Sequence, residues 1–213
     1  MNLADLRKTY AQRTLSEADV LPDAVAQFRL WLEDALAAEL EEPTAFTLST
    51  VAANGQPSSR VVLLKGLPDE AGFLFYTNYD SRKGQELAGQ PLAALNFFWP
   101  GLERQVRVEG RVEKAPEFLS TEYFQSRPRS SQLGAWASPQ SQVIGSREEL
   151  ETREAAMAAR FGDQNPLPRP ANWGGFLVRP TRLELWQGRP SRLHDRIVYE
   201  LEGSTWRRSR LAP

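Results

Sequence analysis

The chain has 213 residues, of which 41% are hydrophobic and 25% charged, and a formal net charge of -1. This is the composition of an ordinary globular domain, and it gives no reason to expect a nucleic-acid partner or an anionic membrane. There is no cysteine, which excludes disulfides, thiolate catalysis and cysteine-ligated metal sites, and the one histidine, His194, excludes a metal site with several histidines from one chain.

No run approaches the roughly 18 apolar residues of a membrane span. The first ten residues also lack the apolar stretch of a signal peptide. We therefore expect a cytoplasmic protein without a membrane partner. No metal is expected, although composition leaves a site made only of carboxylates open.

The N-terminal residues 1–20 are polar and lack a clear period, which predicts a mobile arm ahead of a single domain over residues 21–213. Leu21-Pro22-Asp23 is typical of a helix start. The apolar positions that follow have helical spacing: Phe28, Trp31, Leu32, Ala35, Leu36 and Leu40.

From Thr44 the pattern changes to that of strands. Apolar or alternating runs predict strands over residues 45–51, 60–65, 72–77, 92–99, 105–112, 175–178, 182–186 and 196–201. Asn54-Gly55 is typical of a hairpin turn. Helices are predicted over residues 81–87, 116–125 and 146–161, with a proline-rich loop at 165–172. The fold class is mainly β with helical additions (α+β), and an antiparallel barrel is favoured over a doubly wound α/β fold.

Basic residues recur at loop and strand ends: Arg60, Lys65, Arg82, Lys83, Arg127, Arg129, Arg192 and Arg196. Each taken alone is more often solvated surface charge. Together they suggest phosphate binding, because guanidinium and ammonium groups match phosphate oxygens. Residues 76–83 join a strand to a helix N-terminus through hydroxyl-bearing side chains and two cations, an arrangement that favours an anion. Because no glycine-rich dinucleotide fingerprint or P-loop is present, a phosphorylated ligand of another kind is indicated.

The densest cluster of polar and aromatic residues lies at 183–196. His194 stands there between Arg192 and Arg196, beside Asp195 and downstream of Trp186. A lone histidine is more often structural than catalytic. These neighbours could nevertheless hold an anionic, protonatable substrate with a flat ring.

At this level of detail the chain resembles the pyridoxine (pyridoxamine) 5'-phosphate oxidase family from Leu6 to Pro213. The stretch from Trp186-Gln187-Gly188 to Arg192-Leu193-His194-Asp195-Arg196 looks like the family signature. Further similar blocks are Arg60 to Lys65, Tyr76-Thr77-Asn78, Ser81-Arg82-Lys83, Leu102 to Val106 and Tyr123 to Arg129. Each block is modestly specific, and six in the right order are highly specific.

The resemblance implies a split β-barrel that binds FMN at a homodimer interface. The implied FMN contacts are Arg60, Val61, Val62, Leu63, Leu64, Lys65, Tyr76, Thr77, Arg82, Lys83, Gln105, Gln140, Ser141, Trp186 and Arg196. The implied substrate-phosphate contacts are Lys65, Tyr123, Arg127 and Ser131. Arg192 and His194 match catalytic positions facing the substrate ring, and Arg7 and Tyr10 resemble a pair that closes over the site.

The activity implied by the resemblance is oxidation of pyridoxamine or pyridoxine 5'-phosphate to pyridoxal 5'-phosphate. A hydride would pass from C4' to flavin N5, and O2 would reoxidise the flavin to give H2O2. The sequence departs from the family pattern at Gly66-Leu67-Pro68, in a turn, and Arg7-Lys8-Thr9-Tyr10 keeps only its two end residues.

Three other functions remain open at this stage. A related split-barrel protein could bind FMN or a deazaflavin and reduce another substrate, although His194 and the Tyr123 to Arg129 block argue against it. A pyridoxal 5'-phosphate carrier without turnover would keep the same binding residues. Nucleic-acid binding is weakly supported, because the arginines are interspersed with acidic residues.

Overall fold

The computed structural model describes residues 9–68 and 72–213. Eight strands form one antiparallel sheet: β1 Ala45–Val51, β2 Pro57–Leu63, β3 Phe73–Asn78, β4 Leu92–Trp99, β5 Arg104–Lys114, β6 Trp173–Gln187, β7 Asp195–Glu202 and β8 Thr205–Arg210. The described residues also form five α-helices: α1 Ala24–Ala37, α2 Arg82–Gly89, α3 Glu117–Ser126, α4 Arg129–Ala137 and α5 Arg147–Phe161. The predicted antiparallel α+β class is confirmed.

The sheet closes into a barrel and then continues beyond it. The strand order is β2-β1-β4-β5-β6-β7-β8, and β3 pairs with β6 off this path. Gly66, just after β2, bridges to Leu74 of β3, and Lys65 N–H donates to the Leu74 carbonyl at 2.8 Å. The barrel is thus β2-β1-β4-β5-β6-β3, and β7 and β8 extend from its side. This is the split barrel that the resemblance implied.

Strand β6 belongs to both parts of the sheet. Its first half, Trp173 to Val178, pairs with β3, and its second half, Arg182 to Gln187, pairs with β7. We expected two strands here, over residues 175–178 and 182–186, and that expectation was wrong. Pro180 lies where the register to β5 shifts between Glu109 and Gly110, so its missing N–H breaks no regular ladder and the strand continues.

Aromatic side chains fill the barrel. Phe28 of α1 lies 4.8 Å, centroid to centroid, from both Phe73 and Phe97. Inward positions alternate along β4, where Leu95 and Phe97 are buried. Helix α1 begins after Asp23, whose carboxylate accepts from Ala26 N–H, and it covers one end of the barrel with its apolar face.

Residues 9–20 lie against the domain. Leu15 and Val20 are buried in the main core, and Leu15 N–H donates to the Asp195 carboxylate at 3.1 Å. Arg210 donates to the Leu15 carbonyl at 3.1 Å and to the Glu17 carboxylate at 2.9 Å. Residues 9–20 are therefore docked on the domain in this structure. The mobility predicted for an arm over residues 1–20 stays a prediction.

The sequence pattern did not predict two of the observed elements. Helix α4 follows α3 after Arg127-Pro128, and β8 forms the last hairpin with β7. Across the residues that the structure describes, no helix is long and apolar enough to cross a membrane.

Candidate active site

A polar cavity of about 310 Å³ opens between β2, β3, α2 and α3. Arg60, Lys65, Lys83 and Arg127 contribute four cations to its wall, and no described lining residue is acidic. The remaining lining residues are Val61, Val62, Leu63, Tyr76, Thr77, Tyr123, Gln140 and Trp173. A wall with this excess of positive charge is suited to a phosphorylated ligand.

The start of α2 aims Lys83 into this cavity. Ser81 caps the helix, and its hydroxyl accepts from Gly84 N–H at 3.3 Å. The Lys83 ammonium lies 3.2 Å from both Thr77 Oγ1 and Gln140 Oε1. Burial, reinforced by the nearby Arg60, lowers the pKa of Lys83. Its partners are neutral oxygens, so the charge remains available to an anion.

Glu86 organises the arginines at the same end of the barrel. Its Oε2 accepts from Thr50, Ser58 and Arg60, and its Oε1 accepts from Arg82 at 2.9 Å. Burial alone would raise the pKa of this carboxyl, but these hydrogen bonds outweigh burial and lower the pKa to about 2. The ionised Glu86 therefore fixes both guanidinium groups.

Arg127 lies against aromatic rings deeper in the cavity. Its guanidinium carbon is 4.8 Å from the centroid of the Trp173 ring, and Tyr123 stacks on Tyr76 at 4.1 Å. Buried Nη1 has no hydrogen-bond partner among the described residues. Burial lowers the pKa of Arg127. An unpartnered buried guanidinium N–H is costly, and an anionic oxygen in the cavity would satisfy it.

A neighbouring cavity of about 270 Å³ shares Arg127, Gln140 and Trp173 with the first. Ser131 lines this second space. The predicted phosphate contacts Lys65, Tyr123, Arg127 and Ser131 are therefore distributed over two adjoining cavities that meet at Arg127.

A second group of predicted site residues lies at the other end of β6. Gln105, Trp186 and Arg196 form one row across β5, β6 and β7, on the outer face of the sheet. Arg196 donates to Glu184 at 2.8 Å, and Glu184, 1% exposed, also accepts from Arg107. The buried carboxylate holds Arg196 in place and raises its pKa.

His194 packs beside this row. Its ring centroid is 4.5 Å from that of Trp186 and 6.0 Å from that of Tyr10. Arg189 N–H donates to Nδ1 at 3.1 Å, so Nδ1 is unprotonated and Nε2 carries the proton of the neutral ring. Burial, followed by the charge of Arg192, lowers the pKa of His194. Both effects favour the neutral imidazole.

The backbone next to His194 is strained. Ser191 and Arg192 have φ angles of 57° and 62°, in the left-handed region that non-glycine residues rarely adopt. Ser141, which follows Gln140 at the first cavity, has a φ of 71°. Strain of this kind often concentrates at functional loops, and both of these segments contain predicted site residues.

The two groups lie far apart within one chain. Trp173, in the first, and Trp186, in the second, stand near opposite ends of β6. At about 3.3 Å per residue, roughly 40 Å of strand runs between them, and neither cavity is lined by Gln105, Trp186 or Arg196. One chain therefore does not bring all predicted cofactor contacts to one place.

Several predicted residues take indirect positions, and some site residues were missed. The Leu64 side chain points into the core, and Arg82 turns toward Glu86 outside the cavity lining. Arg7 lies outside the described residues. Trp173, Asn78 and Ser138 line the two cavities without having been predicted. Trp173 adjoins a proline-rich loop, and only its aromatic character hinted at a role.

The fold defines the chain as a split-barrel protein, and comparison with known proteins defines its family. The family model described as pyridoxamine 5'-phosphate oxidase matches residues 32–159. The model of the pyridoxine 5'-phosphate oxidase C-terminal dimerisation region matches residues 173–213. The pyridoxine/pyridoxamine 5'-phosphate oxidase of Synechocystis is 58% identical, covering 100% of this chain and 99% of that protein. The Salinibacter ruber protein of the same name is 56% identical, covering 99% of each.

Solved structures agree with this fold. PhzG from Burkholderia lata, in complex with tetrahydrophenazine-1-carboxylic acid, superposes with a TM-score of 0.88 at 29% identity, covering 95% of this chain and 99% of that chain. An FMN-binding protein from Nostoc punctiforme, related to pyridoxamine 5'-phosphate oxidase, gives 0.69 at 20% identity, covering 87% and 97%. The chain belongs to the pyridoxine/pyridoxamine 5'-phosphate oxidase family.

Proposed function

We propose that this protein is an FMN-dependent oxidase that converts pyridoxamine or pyridoxine 5'-phosphate to pyridoxal 5'-phosphate. Full-length relatives of 56% to 58% identity bear the name of this activity. The structural observation that carries the proposal is the buried Nη1 of Arg127, which has no hydrogen-bond partner among the residues the structure describes and lies in a cavity lined by four cations. A cytoplasmic location is part of the proposal.

The residues of the first cavity fit the phosphates of both ligands. Arg60 and Lys83 would hold the FMN phosphate from the cavity wall, with Arg82 beside them on Glu86. Lys65, Tyr123 and Arg127 would hold the substrate phosphate, together with Ser131 of the adjoining cavity. The chemistry that bound FMN supplies is acceptance of a hydride from substrate C4' and transfer of its electrons to O2, which yields H2O2. The protein supplies orientation, because a fixed phosphate places the reacting carbon.

The residues around His194 would complete the site from the second subunit of a homodimer. The two predicted groups lie toward opposite ends of β6, and Gln105, Trp186 and Arg196 line neither cavity of their own chain. A twofold arrangement would place Gln105, Trp186 and Arg196 of one subunit against the first cavity of the other. The match of residues 173–213 to a dimerisation region supports this arrangement.

Arg192 and His194 would then act on the substrate substituent. Arg192 would orient the C4' amine or hydroxyl by its charge. The neutral ring of His194, with its proton on Nε2, would donate a hydrogen bond or move a proton there. We expect Arg192→Ala to lower kcat, with flavin content unchanged, and an unaltered kcat would argue against this role.

The test of the proposal is a spectrum and a turnover assay on purified protein. Bound flavin should be visible, and addition of pyridoxamine 5'-phosphate in air should give H2O2 and the aldehyde product. Flavin without turnover would indicate another split-barrel activity. Failure to bind supplied FMN would overturn the proposal and favour a pyridoxal 5'-phosphate carrier.

A further inference from the structure

Glu103 links the N-terminal segment to the loop that carries His194. It lies in the turn between β4 and β5, and its residue surface is 3% exposed. Its Oε2 accepts two consecutive backbone hydrogen bonds, from Ala11 N–H at 2.8 Å and Gln12 N–H at 3.1 Å. Within the part of the chain that the structure describes, it forms no ion pair.

The backbone of Glu103 contacts the other side of this junction. Its carbonyl accepts from Gly188 N–H at 2.7 Å and from Gln187 Nε2 at 3.2 Å. Its φ of 54° is in the left-handed region, so the turn is held in a costly conformation. One residue thus binds the arm through its side chain and the end of β6 through its main chain.

The junction of Glu103 with residues 11, 12 and 188 positions the neighbouring side chain of Tyr10. Its ring lies 5.7 Å from that of Trp186 and 6.0 Å from that of His194, edge to face in each pair. Gly188 leaves just enough room, because an added Cβ there would lie 2.8 Å from Tyr10 Cβ and Cγ and 3.1 Å from Glu103 Cβ. The position of the ring depends on both residues.

A buried carboxylate is an expensive way to satisfy two amides of a surface segment. Its desolvation is unfavourable unless its hydrogen bonds offset it, and a neutral turn residue would avoid this cost. Charge-assisted bonds to backbone N–H groups are about twice as strong as neutral ones. The gain is a fixed docking point in a segment whose residues 11–14 are exposed.

We propose that Glu103 is a positioning residue that sets the Tyr10 ring against His194 and thereby governs substrate affinity. The inference rests on the proposed function for its kinetic part alone. Glu103 touches no reacting atom. It acts by holding Ala11 and Gln12, the two residues that follow Tyr10 in the chain.

The first experiment measures docking without substrate. Hydrogen exchange of the Ala11 and Gln12 amides should be about tenfold faster in Glu103→Ala than in the wild type, and trypsin should cleave sooner after the exposed Arg13. Glu103→Gln keeps an acceptor oxygen but loses the charge, so its exchange rates should lie between those of the wild type and those of Glu103→Ala. Unchanged exchange in Glu103→Ala would overturn the proposal, even if the protein proved to have another activity.

The second experiment measures the effect on the reaction. Glu103→Ala should raise KM for pyridoxamine 5'-phosphate about tenfold with bound flavin unchanged, and Glu103→Gln should give an intermediate KM. Because the effect passes through Tyr10, adding Glu103→Ala to Tyr10→Ala should change KM no further. Additive effects, or a loss of flavin and kcat at constant KM, would show a merely structural role.

Gly188→Ala tests the same contact should Glu103→Ala fail to fold. This change leaves the Glu103 carboxylate intact and displaces the Tyr10 ring through the added Cβ. The proposal expects a similar rise in KM. A wild-type KM in a folded Gly188→Ala protein would overturn it.

Discussion

Arg127 offers the most direct test at the scale of single residues. Its unpartnered buried Nη1 should bind the substrate phosphate. Arg127→Ala should therefore raise KM roughly ten- to hundredfold, the equivalent of about 1.5–3 kcal/mol for a charge-assisted hydrogen bond. Steady-state kinetics with pyridoxamine 5'-phosphate would measure the change.

Arg129 provides the matched control for this substitution. Like Arg127, it is an arginine shortly before Ser131 in the chain. Its guanidinium, however, donates to the carbonyls of Gly162 and Gln164, just after α5. Arg129→Ala should leave KM at the wild-type value. If both variants raised KM equally, general positive charge rather than a phosphate contact at Arg127 would account for the effect.

The lowered pKa of Glu86 predicts how the free energy of unfolding depends on pH. Its folded-state pKa of about 2 lies below the ordinary value of 4.5, so its contribution is fully present above pH 4.5. That contribution is lost as pH falls through the folded pKa. Glu86→Gln should cost about 1–3 kcal/mol at pH 7 in urea unfolding. The difference in unfolding free energy between Glu86→Gln and the wild type should narrow between pH 4.5 and 2. A constant difference would contradict the lowered pKa of Glu86.

At the scale of elements, helix α2 contains a matched pair of glycines. A Cβ at Gly84 would lie 2.1 Å from the Tyr79 carbonyl oxygen, whereas a Cβ at Gly89 would meet nothing within 4 Å. Gly84→Ala should destabilise the fold by about 1–3 kcal/mol and weaken FMN retention, because the helix start carries Lys83. Gly89→Ala should be neutral or stabilise by up to about 1 kcal/mol. Thermal unfolding and flavin content would report both.

The accuracy of the sequence interpretation varied from element to element for physical reasons. The bounds of β1 and β4 were predicted fully because apolar residues alternate or run through them. Strand β8 was missed because it is largely exposed and is held by backbone pairing and ion pairs such as Arg207 with Glu200. Helix α4 was missed because its one apolar run, Leu133 to Ala137, is short and is interrupted by Gly134.

The site was predicted unevenly for a related reason. Charged and aromatic residues in recognisable blocks, such as Arg127 and His194, could be proposed as site residues from the sequence alone. Trp173 and Glu103 act through contacts with residues far away in the chain, and no local spacing reveals those contacts. Glu103 meets Ala11 across 92 positions. Its role depends on the turn after β4 and the docked arm being folded together.

At the scale of the whole molecule, the length of β6 has a genetic consequence. If each site takes Arg127 from one subunit and His194 from the other, two defective genes can rescue each other. Mixing Arg127→Ala and His194→Ala subunits should produce hybrid dimers in which one site carries both lesions and the other is intact. With random exchange, and at a substrate concentration well below the raised KM of Arg127→Ala, activity should recover to about a quarter of the wild-type level. A mixture of Arg192→Ala and His194→Ala, lesions of the same half, should stay inactive.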